Sequence, residues 1–136
     1  MILIRLNTVL QQYNLFVGQP RTLDLIRRYP GITQRELAAR MHISPAALSA
    51  SLKRLVKNDW VSKTVTEQDL RSHRLYLTEA GEQVNLACIH DIEQMHENML
   101  SGLAEADRQQ MKIYLNQICS NLARENGTSY PFNEST

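Results

Sequence analysis

Between residues 44 and 57, small and basic side chains follow one another in an order suited to contact with a polyanion. Ser44, Pro45, Ala46 and Ala47 lead into Ser49, Ala50 and Ser51, and then into Lys53, Arg54 and Lys57. Small residues let a backbone approach a surface closely, and their methyl groups can meet the methyl of thymine in a major groove. Cations one turn further on fall where a phosphate backbone would run. A second basic group, Arg71, His73 and Arg74, follows with Asp69 beside it. Guanidinium groups on a projecting hairpin suit a minor groove, whose negative potential attracts them.

Other chemistry is poorly served. His90 and His96 are six residues apart, not the four of a helical metal pair. Cys88 and Cys119 have no metal-ligand spacing and fall on apolar helix faces, where a free thiol packs as a small hydrophobe. Met95, Met99 and Met111 suit a core or an interface. No nucleophile and base stand in a recognisable motif, no phosphate loop is present, and no paired carboxylates stand out. The expectation is a protein that is not an enzyme and needs no metal and no cofactor.

The elements that must hold the basic groups follow from periodicity and caps. Leu3, Leu6, Val9, Leu10 and Tyr13 predict a helix over the first fourteen residues, broken by the stretch from Leu15 to Pro20. Thr22 to Tyr29 reads as a second short helix, stopped by Pro30 and Gly31. Thr33-Gln34-Arg35-Glu36 is a capping box and opens a third, with Leu37, Ala38 and Met41 inward. Ser44 is a favoured N-cap and Pro45 a favoured first residue, so a fourth helix runs from about Pro45 to Asn58 over Leu48, Leu52, Leu55 and Val56. Val61 to Thr66 and Arg74 to Thr78 predict two strands of a hairpin with a charged tip from Glu67 to His73. Thr78 caps a long helix to about Ser101. A last helix from about Glu105 to Glu125 carries Met111, Tyr114, Leu115, Ile118 and Leu122 on one side, and residues 126–136 read as a loose tail.

Two capped helices about Met41 to Ser44, followed by a hairpin, make a winged helix-turn-helix. The charge distribution agrees. Residues 21–78 hold eleven Lys or Arg against five Asp or Glu, a balance of +6, whereas residues 79–136 hold three against nine, a balance of −6. The basic block suits a polyanion and the acidic block does not. With 136 residues, 43% of them hydrophobic and 21% charged, the chain fits one globular domain with helical extensions. No apolar run approaches the ~20 residues of a membrane span. Met1 to Leu10 does not read as a signal peptide, so a cytoplasmic protein without membrane contact is expected.

These residues resemble the MarR family of bacterial transcription regulators. The likeness covers most of the chain and is strongest from Gly31 to Gly81. It rests on Ile32-Thr33-Gln34 with Glu36-Leu37-Ala38, then Ile43-Ser44, Leu55 and Asp59-Trp60-Val61. It continues through Asp69-Leu70-Arg71-Ser72, then Leu75, Leu77-Thr78 and Gly81. The resemblance implies a mainly α (α+β) fold, a winged helix-turn-helix with N- and C-terminal dimerisation helices. It implies a homodimer on double-stranded DNA at a pseudopalindromic site, usually repressing, and often released by a small-molecule effector. Carried over position by position, it makes Ser44, Pro45, Ala46, Ala47, Ser49, Ala50, Lys53 and Arg54 the recognition-helix residues, and Asp69, Arg71, His73 and Arg74 those of the wing. Ala50 and Leu70 depart from the family pattern, in which a longer polar residue and a polar residue or Gly are usual. That shifts the expected readout toward groove shape and phosphate contact.

The expected organisation is residues 1–20 and 79–125 for dimerisation and 21–78 for DNA. Tyr13, Phe16, Met95 and Tyr114 are candidate linings of an effector crevice. A second class of function uses the same face for a protein partner without DNA binding, and salt-insensitive binding would mark it.

Overall fold

The computed structural model describes the backbone of residues 1–66 and 69–127, and the side chains of residues 1–65 and 73–127. It divides into two units, residues 1–96 and 97–136.

In the first unit, α1 (Ile2–Gln12) turns Val9 and Leu10 inward and ends at Tyr13. Leu15 is buried in the connection that follows. Helix α2 (Gln19–Arg28) starts earlier than the sequence predicts. Pro20 opens its first turn instead of breaking the chain, because the amide that proline lacks has no helical partner there. The Gln19 side chain reaches back to accept from the Phe16 amide at 2.9 Å. Next come β1 (Ile32–Thr33), α3 (Gln34–Met41), α4 (Pro45–Lys57), β2 (Val61–Thr66), β3 (Asp69–Leu77) and α5 (Glu79–Met99).

The sheet is antiparallel in the order β1-β3-β2. Strand β1 is absent from the sequence expectation, since two residues are too few to display alternation. Ile32 pairs with Leu75 and Thr33 with Arg74. Strand β3 also begins five residues earlier than the predicted Arg74. It pairs Val61 with Leu77 through Val65 with His73, and after a register shift Thr66 with Asp69. Its outer half, Asp69 to His73, is mostly polar in sequence, so no apolar alternation marks it.

Leu10, Leu23, Ile26, Leu37, Leu48, Leu52, Leu55, Val61, Leu75 and Cys88 form one buried cluster. Each such aliphatic side chain contributes about 1.5–3 kcal/mol relative to exposure. The ion pairs of Asp24 with Arg27 (3.1 Å) and Arg28 (2.7 Å) lie at the surface and contribute at most about 1 kcal/mol each. The packed cluster, not charge pairing, therefore holds the frame of the helix-turn-helix.

In the second unit, a turn at Gly102 (φ 86°) leads into α6 (Glu105–Glu125). No side chain caps that helix, but Glu105 and Asp107 stand in its first turn, where negative charge is favoured. Arg108 ties the turn together, donating to Glu97 Oε2 at 2.8 Å and to the Leu100 carbonyl at 3.0 Å. Helix α6 buries none of its residues. Ile113, Tyr114, Leu115, Ile118 and Leu122 are all more than half exposed. The described part of the expected tail, Asn126 and Gly127, forms a turn after α6, and the rest lies outside the described residues. Among the described residues no helix is long and apolar enough to cross a membrane.

Candidate nucleic-acid interface

Helix α3 is fixed at its start by the predicted capping box. Thr33 Oγ1 accepts from the Glu36 amide at 3.2 Å, and Glu36 Oε2 accepts from the Thr33 amide and hydroxyl at 2.8 Å each. Those bonds from Thr33, with a smaller contribution from the Arg74 and Arg40 charges, hold the Glu36 carboxyl below its ordinary range. Helix α3 ends at His42, which takes a left-handed φ of 56°. The amides of His42 and Ile43 then close onto Ala39 and Ala38. This is the tight reversal that a helix-turn-helix needs.

Helix α4 starts as predicted: Ser44 Oγ accepts from the Ala47 amide at 3.1 Å, and Pro45 stands in the first turn. Gln34 Nε2 donates to the Pro45 carbonyl at 2.9 Å, tying the first turn of α3 to that of α4. Sequence reasoning missed Gln34, although it sits inside the capping box, where an amide side chain at a helix start was the available signal. Leu48, Leu52 and Leu55 bury the inner face. Ser44, Pro45, Ala46, Ala47, Ala50, Lys53 and Lys57 are exposed, and Ser49 is half-buried. Ala46, Ala50, Lys53 and Lys57, spaced four, three and four apart, fall on one side of the helix. Among the described residues, neither lysine has a hydrogen bond or ion pair.

Arg54 is placed differently from its neighbours. Its Nη2 donates to Asn14 Oδ1 at 2.7 Å, and its guanidinium carbon lies 3.9 Å from the centre of the Phe16 ring. Arg74 is likewise drawn inward, with Nη1 donating to the Gly31 carbonyl at 3.1 Å at the base of the hairpin. His73 is exposed, and its register partner Val65 is 47% exposed. The side chains of Asp69, Leu70 and Arg71 lie outside the described residues. The structure thus gathers the small residues, Lys53 and Lys57 onto one open face and engages Arg54 and Arg74 in folding contacts.

Two of the expected effector-lining residues are also engaged. The Tyr13 hydroxyl donates to Asp91 Oδ2 at 2.6 Å, which together with burial pushes the phenol up to about 12. Phe16 lies under Arg54. Cys88 is buried, and burial, with a smaller contribution from Asp91, pushes its thiol up to about 11. That keeps the thiolate, the reactive form, scarce near neutral pH.

A helix-turn-helix followed by an antiparallel hairpin, with an open, partly basic second helix, defines a winged-helix protein of the nucleic-acid-binding kind. Residues 17–73 match the model of the MarR family. YybA of Bacillus subtilis, an uncharacterized HTH-type transcriptional regulator, is 25% identical over 119 residues, 88% of this chain and 79% of that protein. A similarly described regulator of Bacillus cereus is 34% identical over 76 residues, 56% of this chain but only 50% of its own length. Among solved structures, a mutant of Staphylococcus aureus MepR bound to an oligodeoxyribonucleotide superposes with a TM-score of 0.64 at 25% identity, covering 87% of each chain. Staphylococcus aureus MarR in complex with salicylate and kanamycin has the same fold, with a TM-score of 0.80 at 23% identity over 91% of this chain and 84% of that one. Residues 17–73 thus carry a MarR-family domain, and the chain is similar over most of its length to helix-turn-helix transcription regulators.

Proposed function

We propose that this regulator acts as a homodimer on a pseudopalindromic operator in the cytoplasm, represses the genes beside it, and is released by a small-molecule effector. The open face of α4 carries this reading. Ala46, Ala50, Lys53 and Lys57 are exposed together beside a hairpin, and the lysines have no partner among the described residues. In this reading Ser44, Pro45, Ala46, Ala47, Ser49 and Ala50 approach base edges, and Lys53 meets a phosphate. Asp69, Arg71 and His73 serve the wing, while Arg54 and Arg74 stand behind the contact surface. The DNA-bound MepR mutant supports DNA as the partner. The salicylate complex of Staphylococcus aureus MarR supports an effector.

The apolar residues left exposed on α1 (Ile2, Leu3 and Ile4) and on α6 (Ile113, Leu115, Ile118 and Leu122) support a second copy of the chain as their cover. Residues 1–20 and 79–125 would then dimerise and residues 21–78 bind DNA. Two recognition helices held about one DNA turn apart, ~34 Å, would enter successive major grooves.

Gel-shift titration on the DNA upstream of the protein's own gene, against a random duplex across a salt series, tests the reading. Tight, salt-sensitive binding that favours the upstream fragment is expected. Equal weak binding to both duplexes would sink self-regulation through that fragment. No binding at low salt would favour a protein partner.

A further inference from the structure

Four consecutive residues between α1 and α2 are each engaged, two of them by the same arginine. Tyr13 donates to Asp91 of α5 at 2.6 Å. Asn14, at a left-handed φ of 53°, accepts from Arg54 of α4 at 2.7 Å through Oδ1, and its carbonyl lies 3.5 Å from the same nitrogen. Leu15 is buried in the core. Phe16 lies under the Arg54 guanidinium at 3.9 Å. The Phe16 amide is held in turn by Gln19, which is itself buried. Helices α4 and α5 therefore grip the same short joint from their own sides. Arg54 Nε is shielded from solvent, so the inner edge of this cation faces protein.

We propose that Arg54 is a positioning residue and not a phosphate contact: it clamps the recognition helix to the joint at residues 13–16, and operator preference depends on that clamp. The part concerning the operator rests on the DNA-binding reading above. An arginine fork stacked on an aromatic ring and bonded to an amide oxygen fixes direction as well as distance, which a lysine cannot reproduce. Asn14 and Phe16 carry no charge. If Arg54 served a phosphate, removing them would free the guanidinium and leave DNA binding intact or stronger. If Arg54 is a clamp, removing either partner loosens α4 as much as changing Arg54 itself.

The experiment uses the full chain with Arg54→Lys, Arg54→Gln, Asn14→Ala, Phe16→Leu and the double variant Arg54→Gln/Asn14→Ala. One arm contains no DNA and follows amide hydrogen exchange by mass spectrometry over residues 13–19 and 45–58. Exchange faster by on the order of tenfold is expected in both segments for every variant, with the double variant no faster than Arg54→Gln, as for residues acting in one contact. The second arm measures the ratio of operator to random-duplex affinity across a salt series. That ratio is expected to fall about tenfold in every variant, Arg54→Lys included, with the salt slope unchanged.

A variant that merely unfolds loses both affinities together and leaves the ratio where it was, which would overturn the clamp. So would a salt slope about one unit lower in Arg54→Gln alone, the mark of a lost phosphate contact, with Asn14→Ala and Phe16→Leu binding like wild type. Unchanged exchange overturns it without reference to DNA. If the wild-type protein shows no operator preference, the operator reading fails, and the exchange arm still decides whether the clamp exists.

Discussion

At the scale of single residues, Gly81 shows how a sequence position becomes a packing requirement. A Cβ there would stand 1.9 Å from the Trp60 carbonyl oxygen, a backbone atom that cannot swing aside. Thr78 locks the same junction, accepting from the Gly81 amide at 2.9 Å and donating to the Asp59 carbonyl at 2.5 Å. Alanine favours a helix interior over glycine by about 1 kcal/mol. Gly81→Ala is nonetheless expected to destabilise the fold by about 1–3 kcal/mol, as overpacking does, and urea unfolding would read that loss directly. Tyr13 supplies a pH signature. Its phenol is raised to about 12, first by the bond to Asp91 and then by burial, so the protonated form is the one the fold favours. The stabilisation is complete below the ordinary value of 10.0 and is lost as pH rises from there through about 12. Tyr13→Phe should flatten the fall in stability over that window and leave the earlier loss from Cys88, raised from 9.0 to about 11, in place. An unchanged pH profile would deny Tyr13 that role. Gly81 and Thr78 were legible in the sequence as a spaced motif. The bond between Asn14 and Arg54 was not, because nothing local links a helix-end asparagine to an arginine forty residues on.

At the scale of elements, legibility followed local chemistry. The capping box at Thr33 and the Ser44-Pro45 start announce α3 and α4 by side chain, and both appear with the predicted bonds. The start of α2, the short strand β1 and the outer half of β3 were misread, since pairing across the sheet and an early proline set them, not a visible period. The bond from Arg74 to the Gly31 carbonyl was likewise out of sight, since it joins residues far apart in the sequence. The two caps offer a paired test. Ser44→Ala removes one bond to a first-turn amide and should cost about 1 kcal/mol. Thr33→Ala should cost more, because that hydroxyl accepts from the Glu36 amide and donates to the Glu36 carboxylate. The Glu36 carboxyl is held low, so its share of this stability is present above its ordinary value of 4.5 and is lost as pH falls through the depressed one. The gap between Thr33→Ala and wild type should therefore narrow in acid, which thermal melts at two pH values would reveal.

At the scale of the whole molecule, the unsolved packing problem is α6. A helix with no buried residue and five large apolar side chains more than half exposed is not stable alone in water. If a second copy covers it, unfolding is coupled to association, and the melting temperature must climb with protein concentration. Light scattering should then report twice the chain mass. Ile113→Glu with Leu115→Glu should abolish both effects while leaving residues 1–96 folded. A melting temperature independent of concentration in the wild-type chain would remove the homodimer from the proposal.

The two-residue strand β1 has a consequence for the order of folding. Thr33 is the cap of α3 and also the ladder partner of Arg74, and the Gly31 amide donates to the Leu75 carbonyl at 2.9 Å. The chain enclosed between those partners contains both helices of the helix-turn-helix and one side of the hairpin. Closing so long a loop costs entropy before any pairing rewards it, so such contacts form late. The helices and the hairpin are local and can form first. The small central pairing then acts as a seal, closing only when everything inside it is already in place. Late amide protection at Gly31, whose N–H donates to the Leu75 carbonyl, would time the last step in assembling the winged helix-turn-helix.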